Sequence, residues 1–148
     1  RYQDVHAKEI PEVTDDDGSH VRIVAGTFWG KTGPVQDIAA DPLYLDITVP
    51  AGKTKRLPVE TTHHAFAYVF DGAGSFVGSS SLAGNRSLIL FDSGDEVVVS
   101  AGDAGVRFLL VSGKPLQEPV AWRGPIVMNT QQELRQAFEE LQRGTFIK

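Results

Sequence analysis

Short apolar runs separated by glycine and proline dominate the chain, and one run alternates strictly. From Leu43 to Val49 every second residue is a large aliphatic, with Tyr44, Asp46 and Thr48 between them. Successive side chains of a strand point to opposite faces, so this run predicts a strand with one buried face. Other apolar runs predict strands at Val21–Ala25, Phe66–Phe70, Ser87–Phe91, Glu96–Ser100 and Val106–Ser112. Gly72-Ala73-Gly74 predicts a turn after the run Phe66–Phe70.

The C-terminal segment has the pattern of a helix instead. Thr130 and Glu133 have the spacing of a capping box, and Gly144 predicts the end of the helix. Between them an apolar face repeats at i, i+3, i+4 and i+7, formed by Leu134, Ala137, Phe138 and Leu141. Many short strands with glycine turns therefore predict an all-β barrel or sandwich with one C-terminal α-helix.

Composition restricts the class of protein. The 148 residues, 41% of them hydrophobic, fit one domain over residues 1–148. The chain has no cysteine, which excludes disulfides, thiolate metal sites and a cysteine nucleophile, and which favours a cytoplasmic protein. A net charge of −5, with no basic cluster beyond Lys53, Lys55 and Arg56, argues against nucleic-acid binding. No run approaches the roughly 20 apolar residues of a membrane span, so we expect no membrane association.

Two short motifs resemble binding loops but lack their required spacing. Gly26-Thr27-Phe28-Trp29-Gly30-Lys31-Thr32 has three residues between its glycines, where a phosphate-binding P-loop needs four. Asp15-Asp16-Asp17-Gly18 lacks the alternating ligands and the closing glutamate of a calcium loop. Both segments are therefore interpreted as turns.

The adjacent His63 and His64 precede the strand predicted at Phe66–Phe70. Two metal ligands from one regular strand must be two residues apart, because neighbouring side chains point to opposite faces. A regular strand therefore cannot aim both side chains at one ion, whereas a loop conformation could, and no residue is assigned a catalytic role. Glu60, His63 and His64 remain candidates for binding a small ligand, since a His–Glu pair can transfer protons.

The spacing of the glycines resembles that of the cupins, small β-barrels that usually hold one metal through three histidines and a glutamate. Their first motif fits between Gly52 and Gly72, and their second fits from Gly94 through Gly102. The resemblance implies a double-stranded β-helix, or jelly-roll, barrel. It also implies that Ala65, Ala67 and Val69 point inward, and that the outward stripe of Phe66, Tyr68 and Phe70 is covered. The four ligand positions fall on Pro58, Glu60, Ala65 and Gly105, so we expect no metal here. His63 and His64 fall between these positions, so the resemblance implies that the pair marks one end of the barrel.

A narrower resemblance involves both ends of the chain. The segments 112–120 and 124–130 with Glu133, together with Tyr2-Gln3-Asp4 and Ile10-Pro11, are similar to the C-terminal cupin domain of pirins. The resemblance implies a two-cupin protein whose N-terminal half, absent here, binds iron or another divalent metal. In some members that half acts as a metal-dependent quercetin 2,3-dioxygenase. The chain begins with Arg1 and is interpreted as a fragment or a processed piece.

These observations predict a metal-free structural or interaction domain without a cofactor. Its expected partner is the metal-binding N-terminal cupin or another protein, and the chain alone is not expected to be an enzyme. The alternative is a small ligand bound, or a reaction catalysed, inside the emptied barrel around Glu60, His63 and His64.

Overall fold

The structure, a computed structural model, describes residues 3–77 and 81–147. A short 3₁₀ helix spans Ala7–Glu9. The strands are β1 (Glu12–Thr14), β2 (His20–Ala25), β3 (Thr27–Phe28), β4 (Lys31–Thr32), β5 (Leu43–Val49), β6 (Thr54–Pro58), β7 (His64–Phe76), β8 (Ala83–Gly84), β9 (Ser87–Leu90), β10 (Glu96–Gly113), β11 (Ala121–Arg123) and β12 (Ile126–Met128). The helix α1 spans Gln131–Arg143.

The main sheet is organised around β10. Its strands follow the order β1-β2-β5-β10-β7-β8, with β6 also paired to β10 and β9 to β7. The first half of β10 pairs with β6 and with the end of β7, and its second half pairs with β5 and with the start of β7. All of these pairings are antiparallel, so one 18-residue strand holds three others in register.

The sequence predicts two separate strands where the structure has the single β10. The two predicted runs are joined because residues 102–105 form an irregularity that shifts the register against β7 between Ala101 and Val106 without breaking the pairing. The turn predicted at Gly72-Ala73-Gly74 is likewise wrong. These residues lie within β7, where Gly72 pairs with Val106.

The inward faces of the long strands form one hydrophobic core. Inward side chains alternate along each strand, as predicted for Leu43–Val49, and the core includes Val21, Ile23, Leu45, Ile47, Val49, Leu57, Ala67, Val69, Phe76, Val99, Phe108 and Leu110. Phe76 packs edge-to-face on Phe108 with ring centroids 5.3 Å apart. The predicted facing of β7 is confirmed at Ala67 and Val69, which are fully buried, and at Phe66, which points outward.

The outer face of the sheet is only partly covered. Arg107 donates two hydrogen bonds to Asp46, of 2.9 and 2.6 Å, and its guanidinium lies 5.0 Å from the ring centroid of Phe70. The hydrogen bonds to Asp46 raise the pKa of Arg107. The outward stripe is not covered throughout, because Phe66 is 37% exposed and its neighbour Leu90 on β9 is 75% exposed.

The contacts divide the chain into two compact units, residues 1–115 and 116–148. The second unit contains β11, β12 and α1 around a small core of Ala121, Ile126, Leu134 and Ala137. The predicted helix is confirmed: Thr130 and Glu133 form the capping box, and Gly144 ends the helix with φ 72°. This division does not test whether residues 1–148 form one domain, so the single domain stays a prediction.

The close approach of β7 and β10 yields a stability prediction. Gly72 has φ +64°, and a Cβ there would lie 2.2 Å from the carbonyl oxygen of Gly105. Gly52 has a similar φ of +68° but has no heavy atom within 4 Å of such a Cβ. We expect Gly52→Ala to cost about 1–2 kcal/mol, from the left-handed backbone alone.

Gly72→Ala should cost clearly more than Gly52→Ala, because a backbone carbonyl must also move. Urea denaturation of both variants measures the difference in unfolding free energy. Equal losses would show that the two strands do not approach as closely as the structure has them.

Candidate functional site

A pocket with a volume of about 750 Å³ lies at one end of the barrel, within the first unit. Its floor is formed by Leu43 and Ser112, which are paired residues at the ends of β5 and β10. One wall is the turn between β6 and β7, through Pro58, Val59, Glu60 and His63. The other wall and the roof come from the segment 26–42, which connects β2 to β5.

The segment 26–42 is held in an unusual backbone conformation. Trp29, Asp37 and Asp41 have positive φ values of 43°, 58° and 46°, and all three line the pocket. Left-handed backbone is unfavourable for side chains other than glycine, and such residues are concentrated at ligand sites. Aspartate tolerates left-handed backbone, so Trp29 is the one unusual residue of the three.

The hairpin of β3 and β4 brings two aromatic rings to the pocket. The Phe28 and Trp29 rings lie 4.9 Å apart between centroids, and Phe28 is buried whereas Trp29 is 37% exposed. The hairpin is closed by a 2.9 Å hydrogen bond between the hydroxyls of Thr27 and Thr32. The interpretation of this segment as a turn is confirmed, and its aromatic residues, which the sequence interpretation left aside, form a wall of the site.

The candidate residues at the start of β7 separate in the structure. Glu60 and His63 both line the pocket, whereas the exposed His64 does not. His63 occupies a turn closed by a 3.0 Å hydrogen bond from its own N–H to the carbonyl of Glu60. Its Nδ1 is buried and has no hydrogen-bond partner among the described residues. The loop conformation thus brings one histidine to the pocket and leaves the other outside.

Ser112 is a pocket residue that the sequence interpretation missed. The inward row of β10 is Val106, Phe108, Leu110 and Ser112, so this row changes from apolar to polar at the floor of the pocket. Ser112 is only 2% exposed, and its Oγ has no hydrogen-bond partner among the described residues. The sequence did contain a signal for this residue, since the alternation of Val106–Ser112 places Ser112 at an inward position. A serine hydroxyl at such a position needs a polar partner.

The pocket residues do not fit a metal ion. Within residues 3–77 and 81–147, no group of three or more His, Cys, Asp or Glu side chains could hold one. Of the four ligand positions implied by the cupin resemblance, Pro58 and Glu60 line the pocket, but Ala65 and Gly105 do not. Gly105 lies beside Val49 and Pro50, seven residues along β10 from Ser112, which is roughly 20 Å in an extended strand. The structure therefore does not bring these four positions together.

The barrel interior is filled. The inward side chains Leu57, Val69, Phe108 and Leu110 are all 0% exposed. The alternative of a ligand inside an emptied barrel around Glu60, His63 and His64 is therefore wrong in its placement, because these inward side chains are buried and the pocket is lined by Glu60 and His63 but not by His64. The available space lies outside this core, under the segment 26–42.

An ion-pair cluster lies behind Trp29. Lys55 Nζ pairs with Asp15 and, at 2.8 Å, with Asp17, and it lies 5.6 Å from the centroid of Trp29. The hydrogen bond from Lys55 lowers the pKa of Asp17 to about 2 and also lowers that of Asp15. The acidic segment is a turn, as interpreted, and its carboxylates bind a lysine that supports an aromatic wall of the pocket.

Comparison with known proteins identifies the family. Residues 44–147 match the sequence model of the pirin C-terminal cupin domain. The chain belongs to the pirin family. This pirin chain is 37% identical to a pirin-like protein of Caulobacter vibrioides, over 98% of the chain and 52% of that protein. It is 35% identical to a pirin-like protein of Solanum lycopersicum, over 97% of the chain and 50% of that protein.

Solved structures confirm the predicted fold. A quercetin 2,3-dioxygenase from Acinetobacter baumannii superimposes with a TM-score of 0.85 at 30% identity, over 99% of the chain and 50% of that structure. An RmlC-like cupin from Shewanella frigidimarina, at 8% identity and a TM-score of 0.56, supports the cupin fold alone. The all-β cupin with one C-terminal helix is therefore confirmed. The pirin chain spans about half the length of the relatives that it matches.

The predicted function needs correction. We predicted a metal-free structural or interaction domain that packs on a separate metal-binding cupin. The structural or packing role is wrong, because nearly the whole chain aligns with pirin-like proteins and with a quercetin 2,3-dioxygenase, and no partner domain is shown. The metal-free part of the prediction is not tested. The supported description is a cupin similar to pirins and quercetin dioxygenases. The expectations of a protein partner and of no cofactor stay predictions, and no helix among the described residues is long and apolar enough to cross a membrane.

The Lys55 cluster yields a pH prediction. Asp17 has a pKa of about 2, below its ordinary value of 3.8, so its interaction stabilises the fold fully above pH 3.8. That contribution is lost as the pH falls through 3.8 towards 2. Lys55→Met should raise the pKa of Asp17 towards 3.8, which an NMR titration of the side-chain carboxyl measures.

Lys53→Met is the matched control, because Lys53 is exposed and takes no part in the cluster. An unchanged Asp17 titration in Lys55→Met would contradict the ion pair.

Proposed function

We propose that this pirin chain binds a planar, hydroxylated aromatic ligand of the flavonol class in the pocket at the mouth of its barrel. The observation that carries the proposal is the pocket itself, which is lined by aromatic side chains and by residues with buried, unpaired polar atoms. The likeness to a quercetin 2,3-dioxygenase supports this ligand class, because quercetin is a flavonol.

The size of the pocket suits such a ligand. Small-molecule sites typically have volumes of about 300–1,000 Å³ and apolar walls with a few polar groups. Here the volume is about 750 Å³, and the apolar lining includes Phe28, Trp29, Val35, Ile38 and Leu43. A flat ring system gains dispersion and stacking energy against Phe28 and Trp29. The polar groups at Glu60, His63 and Ser112 are available to orient hydroxyl substituents.

No oxygenation step is assigned to these residues, since the described side chains do not form a metal site. The chain's own contribution in the proposal is to bind and orient the aromatic ligand and to exclude water from its buried face. A cytoplasmic location, which the absence of cysteine favours, is part of the same proposal.

Intrinsic fluorescence tests the proposal directly. The chain has two tryptophans, Trp29 in the pocket and Trp122 in the second unit. In a Trp122→Phe protein, quercetin should quench the emission of Trp29 in a saturable manner. Ile38→Asp should weaken binding by about tenfold or more, because Ile38 lines the pocket and loses apolar contact with the ligand.

The matched control is Leu88→Asp. Leu88 is 59% exposed on β9, compared with 44% for Ile38, and it does not line the pocket. Its substitution should leave the quercetin affinity unchanged, with circular dichroism confirming that both variants fold. Equal weakening by both variants, or no saturable quenching in the Trp122→Phe protein, would refute the proposal.

A further inference from the structure

The pocket contains two polar atoms whose hydrogen-bonding capacity the protein does not use. They are the Oγ of Ser112 on the floor and the Nδ1 of His63 on the wall, both buried and both without a partner among the described residues. A buried polar atom without a partner is unfavourable, because it has lost its hydrogen bonds to water. Both residues line the same pocket, so the two unused polar atoms belong to the boundary of one candidate ligand site.

The surrounding sequence does not require either atom. The rest of the inward row of β10 is apolar, and Ala65, paired with Ser112 on β7, is apolar as well. An alanine would satisfy the packing at position 112 without leaving an unpaired hydroxyl. Packing alone therefore does not explain the serine.

The chemistry of the two atoms favours a hydroxyl group. A serine hydroxyl both donates and accepts, and a neutral imidazole nitrogen does one or the other according to its tautomer. A ligand hydroxyl can donate to one of these atoms and accept from the other, whichever tautomer His63 adopts. A carboxylate only accepts, so it satisfies both atoms in one tautomer alone.

The charges of the pocket disfavour an anion. Asp41 and Glu60 line it, and no lysine or arginine does so among the described residues. A carboxylate would lose its hydration and meet like charge, whereas a phenol, with a pKa of about 10, enters uncharged at neutral pH.

We propose that Ser112 and His63 together recognise a neutral aromatic hydroxyl, so that the pocket selects phenols over aromatic carboxylates of the same size. This inference rests on the proposed function, because it assigns the specificity of the same pocket. The two residues position the ligand, and Phe28 and Trp29 supply the apolar surface for its ring.

Matched probes separate recognition from packing. 2-Naphthol, 2-naphthoate and naphthalene share one ring system and differ in the polar group. At pH 7, in the Trp122→Phe protein, 2-naphthol should quench Trp29 with the highest affinity of the three. Tighter binding of 2-naphthoate than of 2-naphthol would overturn the proposal.

Substitutions then assign the selectivity to the two residues. Ser112→Ala and His63→Phe should each weaken 2-naphthol about 3- to 10-fold, the value of one hydrogen bond, and leave naphthalene unchanged. His63→Asn should recover part of the affinity by restoring a polar atom near Nδ1. Equal weakening of naphthol and naphthalene would show that the residues act only through packing, which would also overturn the proposal.

The controls use the same residue types outside the pocket. Ser19 is 0% exposed with an unpaired Oγ, and His64 is adjacent to His63, but neither lines the pocket. Ser19→Ala and His64→Phe should leave all three affinities unchanged.

Quercetin is titrated in parallel, to separate a failure of this inference from a failure of the proposed function. Loss of quercetin binding to the unaltered pocket defeats the proposed function, whereas quercetin binding without naphthol selectivity defeats this inference alone.

Discussion

The antiparallel pairing of β10 with three other strands is the constraint on which the rest of the structure depends. One extended segment supplies partners for β5, β6 and β7, so the register of each is fixed relative to the others. Its irregularity at residues 102–105 lets the strand change partners without ending, and Gly72 allows β7 to pass against the Gly105 carbonyl. The same register determines that the inward row ends at Ser112, on the floor of the pocket.

The position of the pocket follows from this pairing. The ends of β5 and β10 lie at the same end of the barrel as the β6–β7 turn, so Leu43, Ser112 and His63 are brought together from distant parts of the sequence. The core below them is filled, and the segment 26–42 adds an aromatic wall above it. The pocket is therefore built between the barrel and the segment 26–42, outside the buried core.

The sequence predicted what depends on local pattern. The alternation of Leu43–Val49, the capping box at Thr130 and the inward facing of Ala67 and Val69 are all short-range signals, and the structure confirms them. The single β10 and the strand conformation of Gly72-Ala73-Gly74 were missed, because glycines in a strand irregularity have the same local pattern as glycines in a turn. Among the site residues, Glu60 and His63 were proposed, but Ser112 and Trp29 were not, since their proximity depends on pairing between distant segments. The separation of His63 from His64 depends on a turn conformation that the sequence does not specify.

Binding of a ligand under the segment 26–42, at the barrel mouth, is tested most directly by ¹⁵N–¹H correlation spectra of the labelled chain during titration with quercetin. We expect dose-dependent shifts concentrated in residues 26–43, at His63 and at Ser112, with the amides of β9 and of the β11–β12 hairpin unchanged. Shifts concentrated instead on the exposed outer face around Phe66, Leu88 and Leu90 would contradict this expectation and would place the binding surface on the outside of the sheet.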